Sequence, residues 1–244
     1  MSGATFNILP THKLFGFRYT IFQLQIYNII QGFTKNVPEL AMTRYFMVNK
    51  SVFLHLICLC RLIMMILFNK PFGVLSQFTP EAGHRALNEF GFPAGVYAAG
   101  RLDHDSEGAL LLTDEGWLIK KLLDPKFEHP RTYLAQVDGQ ITQEAVDLLK
   151  KGVNIKGYRT KPCQAQIAEA PENLWERMPP IRYRANIPTS WVRLTLIEGK
   201  NRQVRHMTAA VGFPTLRLIR VQIGNIPLGE LMPGEWRVIN ERVI

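Results

Sequence analysis

Alternating apolar and polar positions predict two strands in the second half of the chain. In Thr132–Asp138 the side chains of Tyr133, Ala135 and Val137 lie on one face, and the Asp138-Gly139 turn ends the segment. Trp191–Ile197 alternates in the same way and ends in the turn 198–201. The segment Leu62–Phe68 is instead apolar throughout, which predicts a buried strand that stops before Pro71.

Helical spacing of apolar residues is found in two short segments. Thr142–Lys151 has this period and is followed by Gly152, and Arg202–Val211 has it and stops at Gly212. Strands and helices do not alternate regularly along the chain. We therefore expect an α+β fold with a largely antiparallel sheet and helices packed on it, and not a doubly wound fold.

The apolar run Val52–Phe68 has two interpretations. As a membrane span it is short, and Arg61 near its middle costs about 2.5–3.5 kcal/mol. If the run is instead the end of an N-terminal segment followed by a strand, Arg61 does not have to lie in a membrane and this cost does not arise. We prefer the second interpretation, in which residues 1–61 form an extension and residues 62–244 form the main domain, with no association with a membrane.

Composition narrows the class of protein. The chain has 244 residues, of which 47% are hydrophobic and 20% charged, as in a globular protein of one large or two small domains. Its net charge of +9 favours a polyanionic partner, although about half of this excess lies in residues 1–61. Three cysteines do not form a disulfide framework, so we expect a cytoplasmic protein.

The densest group of chemically active side chains is the acidic loop, residues 100–108, which contains Asp103, Asp105 and Glu107 between two glycines. A calcium loop of the EF-hand type fits part of the spacing, but the glycines and proline before the loop do not form the entering helix that such a site needs. Asp103 and Glu107 would alternatively form an acid–base pair for glycoside hydrolysis. In a third interpretation one carboxylate is a nucleophile, kept ionised by a nearby arginine such as Arg101 or one near Arg202.

The loop and four other stretches resemble the RsuA-like family of RNA pseudouridine synthases. The loop motif is Gly-Arg-Leu-Asp103-x-Asp-Ser-Glu-Gly followed by Leu-Leu-Leu-Thr-Asp-Glu-Gly116. The other matching stretches, in the same order as in the family, are Leu67–Pro71, Arg131–Tyr133, Gly199–Arg205 and Thr215–Arg220. Together they cover about residues 62–240, and five ordered motifs are far more specific than any one of them.

The resemblance implies a fold and a reaction. The fold is a mainly antiparallel sheet in two subdomains, with the active-site cleft between them. The reaction isomerises a uridine within RNA by detaching the base from N1 and rejoining it through C5, with no metal and no cofactor. By similarity Asp103 is the essential catalytic residue, Tyr133 stacks on the uracil and assists removal of the C5 proton, Arg205 pairs with Asp103, and Leu218 packs on the other side of the base.

Several of these roles have a physical rationale. A stacked uridine is unreachable, so the enzyme has to flip it out of the RNA and hold it between side chains such as Tyr133 and Leu218. Cations near the motifs would contact RNA phosphates without reading sequence. These predicted RNA-binding residues are Lys70, Arg101, Arg131, Lys200, Arg202, Arg217 and Arg220.

The resemblance also has departures and limits. His104 and His206 stand where the family usually has arginines, Ala109 replaces a usual leucine, and residues 1–61 do not resemble the S4 domain of many relatives. Similarity alone indicates ribosomal RNA of the large subunit, 23S rRNA, as the partner. Another RNA target, or a non-catalytic RNA-binding protein of the same fold, is the alternative. We expect a monomer.

Overall fold

A computed structural model of the chain describes residues 64–181 and 188–239. The N-terminal extension 1–61 lies outside the described residues, and the prediction for it stays a prediction. Within the described part, most residues of regular structure belong to one large sheet with short helices on it, so the predicted α+β class is confirmed.

The sheet has the strand order β11-β1-β3-β9-β4-β8-β7, with β2 paired to β3 and β10 paired to β9. A separate pair is formed by β5 and β6. The strands are β1 (Met65–Lys70), β2 (Tyr97–Ala98), β3 (Glu107–Thr113), β4 (Arg131–Asp138), β5 (Asn154–Ile155), β6 (Tyr158–Arg159), β7 (Gln164–Ala168), β8 (Thr189–Leu196), β9 (Thr215–Ile223), β10 (Ile226–Pro227) and β11 (Trp236–Ile239). The helices are α1 (Gly116–Leu123), α2 (Gln143–Lys151) and α3 (Gln203–Ala210), and two short 3-10 helices span Leu87–Phe90 and Pro125–Phe127.

Two antiparallel halves of the sheet meet at a short parallel pairing between β3 and β9. Only Glu107 with Ile219 and Gly108 with Arg220 are in register there. Gly108 has a left-handed φ of 102°, and a Cβ on it would lie 2.3 Å from the carbonyl oxygen of Arg220. Glycine is therefore required where the two halves of the sheet touch.

Each half of the sheet has its own core. In the half that contains β1 and β3, both faces of these strands are buried, with α1 on one face and aromatic residues around Phe90 on the other. In the half that contains β4 and β8, helices α2 and α3 cover one face. Burial on both faces explains why residues 109–112 of β3 are all apolar and show no alternation.

The predicted element boundaries agree with the structure to within three residues. Strand β4 begins one residue earlier than predicted, and α2 is preceded by Thr142, whose side-chain oxygen accepts a hydrogen bond from the Ala145 N–H and so caps the helix. The last residues of the apolar run, Met65–Phe68, lie in β1 and not in a helix. No helix in the described ranges has the length and apolar character needed to cross a membrane.

Candidate active site

A cavity of about 640 Å³ opens where the two halves of the sheet meet. Its lining comes from the acidic loop, the C-terminal end of α1, strands β4, β8 and β9, and the turn before α3. Eight of the predicted site residues line it: Arg101, Asp103, Arg131, Tyr133, Lys200, Arg202, Leu218 and Arg220. The predicted residues Lys70, Arg205 and Arg217 do not line it.

Asp103 lies at the cavity wall with a third of its side chain exposed. Its loop is fixed on both sides, because Ser76 exchanges two hydrogen bonds with the backbone of Leu102, at 2.7 and 3.0 Å, and the Ser106 N–H donates to the Asp103 carbonyl. Among the residues that the structure describes, the cation that pairs with this carboxylate is Arg202, whose Nη1 lies 3.9 Å from Oδ2 of Asp103. The carboxylate is therefore held beside a positive charge and left open to the cavity.

The predicted pairing of Arg205 with Asp103 is not formed, and the arginine at Asp103 is Arg202. Arg205 lies three residues further along, in α3, where its Nη2 donates to the Asp105 carbonyl at 2.6 Å and its Nε lies 3.4 Å from the Asp105 carboxylate. Burial lowers the pKa of the Arg205 guanidinium, against the attraction of Asp105. Arg205 thus stabilises the acidic loop through its contacts with Asp105 instead of pairing with Asp103.

Asp105 is the common partner of both arginines. Arg202 donates to its two carboxylate oxygens at 2.9 and 2.7 Å. Partial burial opposes ionisation of this carboxyl, but the hydrogen bonds from Arg202 and the charge of Arg205 outweigh it and lower the pKa of Asp105. Sequence reasoning weighed Asp105 only as a calcium ligand, although its place in the acidic loop, two residues from Asp103, was an available signal.

Tyr133 and Leu218 lie on neighbouring antiparallel strands. Tyr133 is opposite Arg220 and Leu218 is opposite Ala135, so the two side chains project from the same face of the sheet. Tyr133 is half-buried, Leu218 is buried, and both line the cavity. They provide an aromatic and an aliphatic surface in the cavity that Asp103 also lines.

Three of the predicted phosphate contacts are buried, which corrects the sequence analysis. The Lys70 ammonium is inaccessible and donates to the carbonyls of Pro71 and Val74 at 2.9 and 2.8 Å. Burial lowers its pKa to about 7, although Glu107 and Asp105 act in the opposite direction. Arg217 forms a buried ion pair with Glu107, and Arg220 donates from Nε to the Ala109 carbonyl while bordering the cavity floor.

The remaining cations border the opening of the cavity. Arg101 and Lys200 are exposed, and the Lys200 ammonium lies 4.8 Å from the centre of the Tyr158 ring. Arg131 is half-buried and donates to the Leu122 carbonyl at the end of α1. These residues, with Arg202, give the cavity entrance its positive charge.

Glu107 is not available for chemistry in the cavity. Both its oxygens are bonded to Arg217, at 2.7 and 2.8 Å, the indole N–H of Trp175 donates to Oε1 at 2.7 Å, and its side chain is 2% exposed. The alternative of an acid–base pair with Asp103 is therefore wrong, and so is the calcium loop. Across residues 64–181 and 188–239 no three His, Cys, Asp or Glu side chains are placed to hold a metal ion.

A polar network on the other side of the cavity was missed by sequence reasoning. The Glu198 carboxylate accepts hydrogen bonds from the Tyr158 hydroxyl at 2.6 Å, the Lys161 N–H at 2.8 Å and the Gln203 amide at 2.5 Å. This network ties β6 to the turn that carries Arg202. Strand β6 has only two residues, too few for a recognisable pattern.

Comparisons with known proteins agree with this geometry. The sequence model of the family described as RNA pseudouridylate synthase matches residues 64–210, which is more than half of the chain.

The chain belongs to this family.

Its relatives include the ribosomal large subunit pseudouridine synthases E of Vibrio parahaemolyticus and Xanthomonas campestris. The first is 52% identical over 174 residues, which cover 71% of this chain and 73% of the relative. The second is 49% identical over 183 residues, which cover 74% of this chain and 98% of the relative. A solved structure described as a pseudouridylate synthase superposes with a TM-score of 0.61 at 27% identity, covering 74% of this chain and 71% of that one. The family membership makes this chain an RNA pseudouridine synthase and confirms the predicted fold and enzyme class.

Proposed function

We propose that this enzyme converts a uridine of ribosomal RNA to pseudouridine, that its target is the 23S rRNA of the large subunit, and that Asp103 is its essential catalytic residue. The observation that carries the proposal is the position of the Asp103 carboxylate, open to a 640 Å³ cavity that Tyr133 and Leu218 also line. The choice of target follows the relatives named as large-subunit enzymes, which are about half identical to this chain.

The reaction is an isomerisation that breaks the N1–C1′ bond of the uridine and forms a C5–C1′ bond. N1 gains a proton and C5 loses one, so atoms and electrons balance without an oxidant or a reductant. This balance supports the expectation that no redox cofactor is needed. The Asp103 carboxylate has the chemistry to act on the ribose or the base as the glycosidic bond breaks, as a nucleophile or as a base.

Tyr133 and Leu218 hold the extruded uracil in this proposal. The aromatic ring stacks on the base, and the leucine packs against it in the same cavity. The Tyr133 hydroxyl then provides a group for transfer of the C5 proton, which a phenylalanine would lack. The Tyr133 side chain lines the cavity and is only half-buried, so part of it is accessible to the base.

Arg101, Lys200, Arg131 and Arg202 hold the RNA backbone around the flipped nucleotide. They border the cavity entrance, where phosphates on either side of the target nucleotide would lie. Such contacts provide affinity and register but no sequence information. If ribosomal RNA is the substrate, we expect the enzyme to act in the cytoplasm and as a monomer.

Two measurements test this proposal. Mapping of pseudouridine in ribosomal RNA from cells with and without the gene is expected to show one modification site in 23S rRNA that disappears with the gene. Loss of a site in small-subunit rRNA or tRNA instead would contradict the target. The purified protein is expected to release tritium from [5-³H]uridine in rRNA, whereas binding without release would identify a non-catalytic RNA-binding protein.

A further inference from the structure

Asp105 lies two residues from Asp103 and receives the closest contacts of Arg202. The two Nη atoms of Arg202 lie 2.9 and 2.7 Å from the two Asp105 oxygens, while its approach to Asp103 is 3.9 Å. Arg205 contacts Asp105 from the other side, at 3.4 Å to the carboxylate and 2.6 Å to the carbonyl. One arginine is therefore shared unequally between two neighbouring carboxylates.

We propose that Asp105 is a positioning residue that keeps Arg202 bound to itself, so that Asp103 has a cation nearby without being enclosed in a bidentate ion pair. This inference rests on the proposed catalytic role of Asp103. Asp105 touches neither substrate nor reacting atoms in this account, and it acts only through Arg202.

The hydrogen-bonding geometry of arginine explains why Arg202 has to be kept from binding Asp103 through both carboxylate oxygens. Two parallel N–H···O bonds from one guanidinium to one carboxylate are among the strongest contacts in proteins, and they occupy both oxygens. If Arg202 bound Asp103 in this way, the carboxylate would have to break the pair before it acted on the ribose or the base.

Two features of Asp105 favour its pairing with Arg202. Its side chain is 22% exposed, less than the 33% of Asp103, and a less exposed carboxylate binds a guanidinium more strongly because water competes less. Arg205 fixes the backbone of Asp105 through the carbonyl and so holds the carboxylate in place. Asp103 has no such anchor from Arg205.

The test is a double-mutant cycle between Asp105 and Arg202, measured as tritium release from [5-³H]uridine in rRNA. Asp105→Asn frees Arg202 to bind Asp103, so kcat is expected to fall by at least about tenfold, while KM stays the same or decreases. Arg202→Ala removes a proposed phosphate contact, so it raises KM, and its kcat is expected to exceed that of Asp105→Asn.

The decisive variant carries both changes. Among the described residues, Arg202 is the cation that forms an ion pair with Asp103. Once it is removed, adding Asp105→Asn is therefore expected to leave kcat at the value of Arg202→Ala. A fall in kcat by the same factor with and without Arg202 would show that Asp105 acts independently of this arginine and would overturn the proposal. Asp147→Asn provides the matched control, because it neutralises an exposed aspartate that is paired with Lys150 on α2, away from the cavity.

Two further variants keep the test decisive. If Asp105→Asn does not fold, Asp105→Glu preserves the negative charge, and its kcat is expected to be closer to wild type than to Asp103→Asn. A kcat as low as that of Asp103→Asn would contradict the inference. Full activity of Asp103→Asn would instead refute the proposed function itself, whereas an inactive Asp103→Asn with an additive cycle would refute only the role of Asp105.

Discussion

Asp103 and Glu107 are four residues apart in one loop, yet they belong to different regions of the molecule. Asp103 faces the cavity with a third of its side chain exposed and an arginine 3.9 Å away. Glu107 begins β3, is 2% exposed, and is bonded to Arg217 and Trp175. A buried ion pair of this kind fixes the junction of β3 and β9, and the open carboxylate next to it is free for chemistry.

The cations of the family motifs also divide into an exposed group and a buried group. Arg101 and Lys200 border the cavity entrance, whereas Lys70 and Arg217 are inside the protein, bonded to carbonyls or to Glu107. All four belong to or flank the family motifs. In our proposal the exposed pair contacts the substrate, whereas the buried pair stabilises the fold. Substitutions in each of the two groups test this division.

The largest expected effect on stability is that of Glu107→Gln. The variant keeps the shape of the side chain but leaves the Arg217 guanidinium buried without its counter-charge, which costs about 3–5 kcal/mol of unfolding free energy. Urea unfolding measures this loss. Glu89→Gln removes an exposed partner of Arg85 and is the matched control, with an expected change of about 0.5 kcal/mol or less.

The double variant Glu107→Gln/Arg217→Met sharpens this prediction. With both charges removed the cost of an unpaired buried charge disappears, so the double variant is expected to be more stable than Glu107→Gln alone. Equal or lower stability of the double variant would show that the arginine is not the source of the loss.

The second prediction concerns Lys70 and pH. Burial lowers its folded pKa from 10.5 to about 7, so between these two values the unfolded chain binds the extra proton. Unfolding free energy is therefore expected to rise with pH across this range, by up to about 1.4 kcal/mol per pH unit, and to be lowest at and below pH 7.

Comparison with Lys70→Met isolates this contribution. The Cys163 thiol, whose pKa burial raises from 9.0 to about 11, acts in the opposite direction above pH 9, and it is present in both proteins. The difference in unfolding free energy between wild type and Lys70→Met is expected to change with pH between 7 and 10.5. A difference that does not vary with pH would contradict a lowered pKa of Lys70.

The smallest expected effects are those of substituting the two exposed cations at the cavity entrance. Arg101→Gln and Lys200→Gln are each expected to weaken RNA binding several-fold and to leave unfolding unchanged. Each removes one proposed phosphate contact, so the slope of log K against log salt is expected to become shallower by about 0.7 in each variant. Binding titrations at several salt concentrations measure this. Lys150→Gln on α2 is the control, and an equal change for it would indicate unspecific charge attraction.

Local patterns predicted helix α2 and strand β4. The helical spacing of α2 matches its buried residues Ala145, Val146 and Leu149, which pack on one core. The alternation in β4 identified the face of Ala135 and Val137, although Leu134 on the opposite face is buried as well, in a separate cluster. Strand β3 is buried on both faces and shows no alternation, so sequence reasoning identified its residues only as part of a motif. The parallel pairing of β3 with β9 joins residues more than a hundred positions apart and has no local signal.

The site was predictable to the extent that its residues cluster along the chain. The acids between two glycines drew attention to Asp103, and the motifs drew attention to Tyr133 and Leu218. Burial of Lys70 and Arg217 was not predictable, since it depends on partners such as Glu107, which lies 110 residues from Arg217. Arg205 was predicted to pair with Asp103, but the structure has Arg202 in that position. This was not predictable from the sequence either, because both arginines contact the acidic loop and only the geometry of the turn before α3 distinguishes them.

Tritium release by Asp103→Asn from [5-³H]uridine in rRNA tests the central claim most directly. The amide preserves the size of the side chain and removes its charge, so folding and RNA affinity are expected to persist while release falls to background. Release at the wild-type rate would show that the reaction does not use this carboxylate.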